Sequence, residues 1–159
     1  MGPDAGADAL MRFLEACRTQ MRRANRDITD QAYPPHVLIQ YPIPDRTAAL
    51  LDGGESPVPG LVSAMGAAKA AGAGVFGIAC NTAHIWYDEL AKLFPDLDIV
   101  RIAHDAASAV LHCGAKTCAV LATKATQRGG LYAKALASAG IEVLEQSSSD
   151  KEALHRAIF

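Results

Sequence analysis

Short apolar runs alternate with helix-patterned segments along almost the whole chain, and this rhythm limits the fold more than any other feature. The runs are His36–Tyr41, Val75–Ala79, Ile99–Ala103, Thr117–Ala122 and Ile141–Leu144. Between them lie residues 5–24, Thr47–Leu51, residues 58–71, residues 83–93, Asp105–Leu111 and Gly130–Ser138, all with helical character. Ser149 or Asp150 is placed to cap a last helix into Phe159. Strands separated by helices cannot close as tight hairpins; they cross over and lie parallel. The expected class is α/β, with a parallel sheet or sheets flanked by helices. Two series are expected, one over residues 1–100 and one over residues 101–159.

The local signals agree with this division. Leu10, Phe13, Leu14, Cys17 and Met21 form one apolar stripe at helical spacing, with Pro3 and Asp4 suited to its start. The His36–Tyr41 run reads as a buried strand that Pro42 and Pro44 end. Gly72, Gly114 and Gly140 stand where helices should stop. Of the 159 residues, 50% are hydrophobic and 20% charged, the balance of a chain that buries a core rather than a disordered one. Aromatics are few and Ala and Gly many, which suits close helix–sheet packing.

Charge and composition exclude several functions. The net charge is -2, and no basic stripe or RNA-reading motif is present, so nucleic acid is not an expected partner. The cluster Arg22-Arg23-Ala24-Asn25-Arg26 reads as the solvated end of a helix, where positive charge complements the dipole. No stretch approaches the ~20 apolar residues of a membrane span. The opening Met1-Gly2-Pro3-Asp4 has no basic segment followed by an apolar one, so a cytoplasmic location is expected. Cys17, Cys80, Cys113 and Cys118 should then be reduced thiols.

In parallel sheets, ligands sit beyond the carboxyl ends of the strands. Three polar clusters fall at such ends: Asp45-Arg46-Thr47, Cys80-Asn81-Thr82, and Thr123 to Thr126. Their shared edge suggests one site. Cys80 lies between a strand end and a helix start, where partial positive charge favours the thiolate and free N–H groups can hold a carboxylate. Asn81 and Thr82 add side-chain donors. A lone Cys is more often core filling, but the Cys-Asn-Thr turn favours the reactive reading. Arg46, in a stiff proline-bounded loop, can grip a carboxylate through two parallel N–H bonds, or can simply pair with Asp45 or Asp52. Thr123 and Thr126 suit a second anion contact or plain helix capping. His84 can tune Cys80, polarise a substrate, or hold the turn by a structural hydrogen bond. Cys17 and Cys118 read as core. The spacing of His112, Cys113, Cys118 and His104 matches no common zinc pattern, so no metal is expected.

Pro44-Asp45-Arg46-Thr47, Cys80-Asn81-Thr82-Ala83-His84, and Leu121-Ala122-Thr123 through Leu131-Tyr132 together resemble the aspartate/glutamate racemase family, in its aspartate racemase branch. The resemblance covers almost the whole chain. It implies two pseudo-symmetric α/β lobes with the site between them, the second lobe here being incomplete, and pairing as a homodimer. It implies no cofactor, neither pyridoxal phosphate nor metal, and a small acidic amino acid as substrate. It implies one cysteine from each lobe on opposite faces of the α-carbon, with Cys80 as the first-lobe acid/base. Asn81, Thr82 and Thr123 match positions that hold the α-carboxylate, and Arg46 matches one that recognises the side-chain carboxylate.

The chain also departs from the family pattern. The family's second cysteine lies well past residue 159, in a Gly-Cys-Thr-Glu-like run with no match here. Met1-Gly2-Pro3 resembles the tail of the family's opening loop, so the chain is expected to lack pieces at both ends. Ala125 stands where Gly is common, Gly129 where Ser or Thr is common, and Gln40-Tyr41 near a usual Asn-containing stretch. Two other functions fit a single site cysteine. One is a decarboxylase or cis–trans isomerase acting on a small dicarboxylate. The other is an inactive racemase-like binding module.

Overall fold

In the computed structural model, which describes residues 2–158, two small parallel sheets each sit against their own helices. The chain opens with α1 (Pro3–Arg23) and reaches α2 (Arg46–Leu51) through a long irregular stretch. There follow α3 (Val58–Ala70), β1 (Val75–Phe76), a 3-10 turn over Thr82–Trp86, α4 (Tyr87–Leu93) and β2 (Asp98–Ile99). A second series repeats the rhythm: α5 (Ile102–His112), β3 (Thr117–Cys118), α6 (Lys124–Arg128), α7 (Leu131–Ser138), β4 (Glu142–Val143) and α8 (Ser148–Ile158).

The pairings confirm the parallel reading. β1 pairs with β2 in the register Val75↔Asp98 and Phe76↔Ile99. β3 pairs with β4 in the register Thr117↔Glu142 and Cys118↔Val143. Each strand of the described residues has one neighbour, so one edge of every strand carries no ladder.

Two apolar clusters sit on these sheets. In α3, Leu61, Ala64, Met65 and Ala68 fall at i, i+3, i+4 and i+7, and all four are buried. Leu61 and Met65 meet Ile78, Ala83, Leu90, Leu97 and Ile99 in the first cluster. The helix stops where Gly72 takes φ +89°, which lets the Ala73 N–H close on the Ala68 carbonyl. The second cluster is smaller and richer in alanine: Ala103 and Ala107 of α5 pack on Ala135 and Leu136 of α7 and on Ile141. Small side chains on both faces let these two helices approach closely.

Three expectations are corrected. The His36–Tyr41 run is not a buried strand: it has no ladder partner, and Val37, Leu38 and Tyr41 are 55%, 44% and 46% exposed. An apolar run becomes a strand only beside a backbone that takes up its hydrogen bonds, and none lies next to it among the described residues. The run instead lies along α1, with Gln40 Nε2 donating to the Pro3 carbonyl at 3.3 Å and Phe13 tilted on His36 at 5.2 Å between ring centres. The stripe on α1 is accordingly only partly covered, with Met21 its one buried member. The Ile99–Ala103 run is strand only at its start, because helix α5 begins at Ile102. The last helix is capped two to three residues earlier than expected, by Ser147, whose Oγ accepts from the Asp150 N–H at 3.1 Å; its expected end at Phe159 lies outside the described residues. No described helix is long and apolar enough to cross a membrane.

Met65 is completely buried, whereas Met11 on α1 is 59% exposed. Met65→Ala should lower unfolding free energy by about 2–5 kcal/mol through the cavity it leaves, while Met11→Ala should change it by less than about 0.5 kcal/mol. Urea denaturation of the two variants checks this. Equal losses would show that α1 and α3 contribute alike to the core.

Candidate active site

The site begins where β1 ends. After Phe76 the chain passes through buried Ile78 and turns tightly, with the Cys80 N–H donating to the Ile78 carbonyl at 2.8 Å. Cys80 is a free, half-buried thiol packed on the edge of the first cluster. A 3-10 turn follows instead of the expected immediate α-helix. His84 explains its shape: the ring Nδ1 donates to the Cys80 carbonyl at 2.8 Å, and the ring is 3% exposed. A carbonyl only accepts, so this contact requires a proton on Nδ1. His84 therefore fixes the backbone of Cys80 and does not meet its sulfur through that nitrogen.

Arg46 sits at the start of α2, which Asp45 caps by accepting from the Ala48 N–H at 2.7 Å. Asp45 is thus occupied by the helix and forms no ion pair with Arg46. The guanidinium bends back on its own loop, its Nη1 donating to the Pro44 carbonyl at 3.0 Å and the Ile43 carbonyl at 3.3 Å. Arg46 Nε is buried and has no hydrogen-bond partner among the described residues. A buried donor left this way costs free energy that a bound acceptor would recover.

Thr123 caps α6, accepting from the Thr126 N–H at 3.4 Å. It also donates to Thr126 Oγ1 at 3.2 Å. Thr126, 3% exposed, in turn meets Thr82 Oγ1 at 2.8 Å. The Arg46, Cys80 and Thr123 clusters, far apart in sequence, are drawn together here, because α2 packs against both the 82–86 turn and α6. The Cys80 and Thr123 clusters, which follow β1 and β3, meet the Arg46 helix here, although no strand precedes Arg46 among the described residues.

The sequence paired Thr126 only with Thr123, not with Thr82, and did not single out Tyr132 as a site residue. Tyr132, on α7, donates its hydroxyl to Asn81 Oδ1 at 2.6 Å. That bond occupies the Asn81 oxygen and leaves its amide hydrogens to face elsewhere. Only the recurrence of Leu131-Tyr132 in a family-like run hinted at it. A separate cavity of about 370 Å³ lies between the first and second series, lined in part by His84, Arg101, His104 and Lys134. None of Arg46, Cys80, Asn81, Thr82 or Thr123 lines it, so the candidate site is elsewhere.

Gly129 closes the seam. A side-chain carbon there would come within 2.6 Å of Ile85 Cδ1, so Ile85 already fills the space that Ser or Thr would take at this position.

Burial pushes the Tyr132 phenol above its ordinary value of 10.0. The folded state therefore holds this proton where the unfolded chain has lost it. The stabilisation is fully present below pH 10 and is lost as pH rises through the folded value. Tyr132→Phe should cost about 0.5–1.5 kcal/mol at neutral pH for the lost hydrogen bond, and its stability should fall less steeply above pH 10. Unfolding curves at pH 7 to 11 check this, and parallel curves for the two proteins would contradict it.

The sequence matches the Asp/Glu/Hydantoin racemase family over residues 1–158. It is 25% identical over 146 residues to the broad specificity amino-acid racemase RacX of Bacillus subtilis (strain 168), covering 92% of this chain and 61% of that protein. Among solved structures, the aspartate racemase of Picrophilus torridus superposes with a TM-score of 0.68 at 26% identity, over 99% of this chain and 69% of that one. PH1733, an aspartate racemase homologue from Pyrococcus horikoshii OT3, superposes with a TM-score of 0.66 at 26% identity, over 96% of this chain and 66% of that one. The chain thus spans less than two thirds of the length of RacX. Its motifs, its parallel α/β architecture and a match along nearly its whole length place this chain in the Asp/Glu/hydantoin racemase family.

Proposed function

We propose that this chain carries the first half-site of an amino-acid racemase acting on aspartate or glutamate, with Cys80 as one acid/base at the α-carbon. The observation that carries this reading is the convergence of α2, the 82–86 turn and α6, which gathers Arg46, Asn81, Thr82 and Thr123 around the turn that bears Cys80. On this reading residues 1–100 form one lobe and residues 101–159 part of a second, and two copies pair as a homodimer.

The chemistry follows from the groups present. An α-proton is a very weak acid, so its removal needs donors aimed at the carboxylate on which negative charge develops. Asn81, Thr82 and Thr123 are the donors for that carboxylate. The Cys80 thiolate takes the proton, and a second acid must return one to the opposite face for inversion. The buried, unpartnered Arg46 Nε is the donor that a side-chain carboxylate would satisfy. Cys80 is the only described thiol at this turn: Cys17 lies on α1, Cys113 ends α5, and Cys118 pairs in β3 against the second cluster. The expected behaviour of the 159-residue chain alone is therefore proton abstraction without efficient inversion.

α-Proton exchange in D₂O, followed by NMR with L- and D-aspartate and L- and D-glutamate offered separately, tests this. One enantiomer should exchange without racemising. Cys80→Ala should slow that exchange by about 10²-fold or more. Arg46→Lys should raise the KM for the acidic substrate by about tenfold, because a lysine cannot reproduce the planar fork. Rapid inversion by the purified chain would show that a second acid is present, and no exchange with any of the four would defeat the reading.

A further inference from the structure

The Thr82, Thr126 and Thr123 hydroxyls form a continuous chain, with Thr126 in the middle and almost wholly shielded from solvent. The middle group belongs to α6, while Thr82 belongs to the turn after β1, and their contact spans 44 residues of sequence. Each hydroxyl has one proton to give and can accept from its neighbours. Three hydroxyls joined by two hydrogen bonds use two protons internally, and one proton remains to point outward.

With Thr123 donating to Thr126, a Thr126 proton given to Thr82 leaves the Thr82 proton free. Reversing both bonds would instead free the Thr123 proton. The chain can thus present a donor at either end, but not at both ends while it stays intact.

We propose that Thr126 is a positioning residue for substrate binding, coupling Thr82 and Thr123 so that the pair presents one oriented hydroxyl donor to the α-carboxylate. This rests on the racemase reading for the identity of the ligand, and on the structure alone for the coupling. Thr126 touches no reacting atom. Its hydroxyl takes up a hydrogen bond at one end and gives one at the other, which fixes both flanking side chains without immobilising solvent in the gap. Asn81, held by Tyr132 from the same side, supplies its amide donor beside this pair.

The test compares Thr126→Val, which keeps the shape and removes the hydroxyl, with Thr126→Ser, which keeps the hydroxyl. Both are measured in the full chain for aspartate α-proton exchange, for the Kd of succinate as a dicarboxylate probe, and for thermal unfolding. Thr126→Val should raise the KM for exchange and the succinate Kd by about tenfold, with the maximal exchange rate changed by less than about threefold. Thr126→Ser should return both constants to within about threefold of the parent. A merely structural role would lower stability and maximal rate without this division, or would leave Ser no better than Val; either result overturns the proposal. Unchanged KM and Kd in Thr126→Val also overturn it. If the parent exchanges neither aspartate nor glutamate, the racemase reading fails separately, and the succinate Kd alone decides for or against the coupling. Absence of succinate binding by the parent would overturn it as well.

Discussion

The hydroxyl contact between Thr82 and Thr126 is the interaction on which the rest of the site depends. Each belongs to a different sheet-and-helix series, Thr82 to the turn after β1 and Thr126 to α6 after β3. Their 2.8 Å contact places the Cys80 turn beside the Thr123 cap. Tyr132 adds a second tie from the same side to the neighbouring residue, Asn81. The Thr82–Thr126 tie is a buried hydrogen bond, where leaving one partner unpaired costs more than the bond itself contributes. The seam is therefore held in one register, and Ile85 against Gly129 keeps it closely packed.

Much of the site was legible in the sequence because its signals are local. Cys-Asn-Thr after an apolar strand, Arg46 behind Asp45, and Thr123 before a helix are each readable within a few residues. The long-range ties were not. Tyr132 is 51 residues from Asn81 and Thr126 is 44 from Thr82, and neither spacing follows a helical or strand period. The role of His84 was left open between tuning and structure, and its bond to the Cys80 carbonyl settles its Nδ1 on the backbone.

The fold was legible to the same depth. Helix stops at Gly72, Gly114 and Gly140 follow from backbone conformations that glycine adopts freely, and all three glycines have positive φ. The parallel pairing followed from the alternation of elements. The His36–Tyr41 run was misread because hydrophobicity and β-branching describe a strand's faces, whereas its existence depends on a neighbour's hydrogen bonds. That neighbour is a property of the whole fold, not of the six residues in the run.

The shortness of the ladders has a consequence for motion. Each sheet is a pair of two-residue strands, and Val75 and Leu144, at the ends of the two pairs, are more than half exposed. Opening such a sheet breaks few hydrogen bonds and uncovers little apolar surface, so local opening begins there at low free energy. The helices that bury Met65, Leu90 and Leu136 open last. Amide hydrogens in the ladders should therefore exchange with solvent ahead of those in α3 and α7. Thr126 is buried on α6 and Thr82 lies in a turn held by a buried histidine, so their contact stands apart from the ladders that open first.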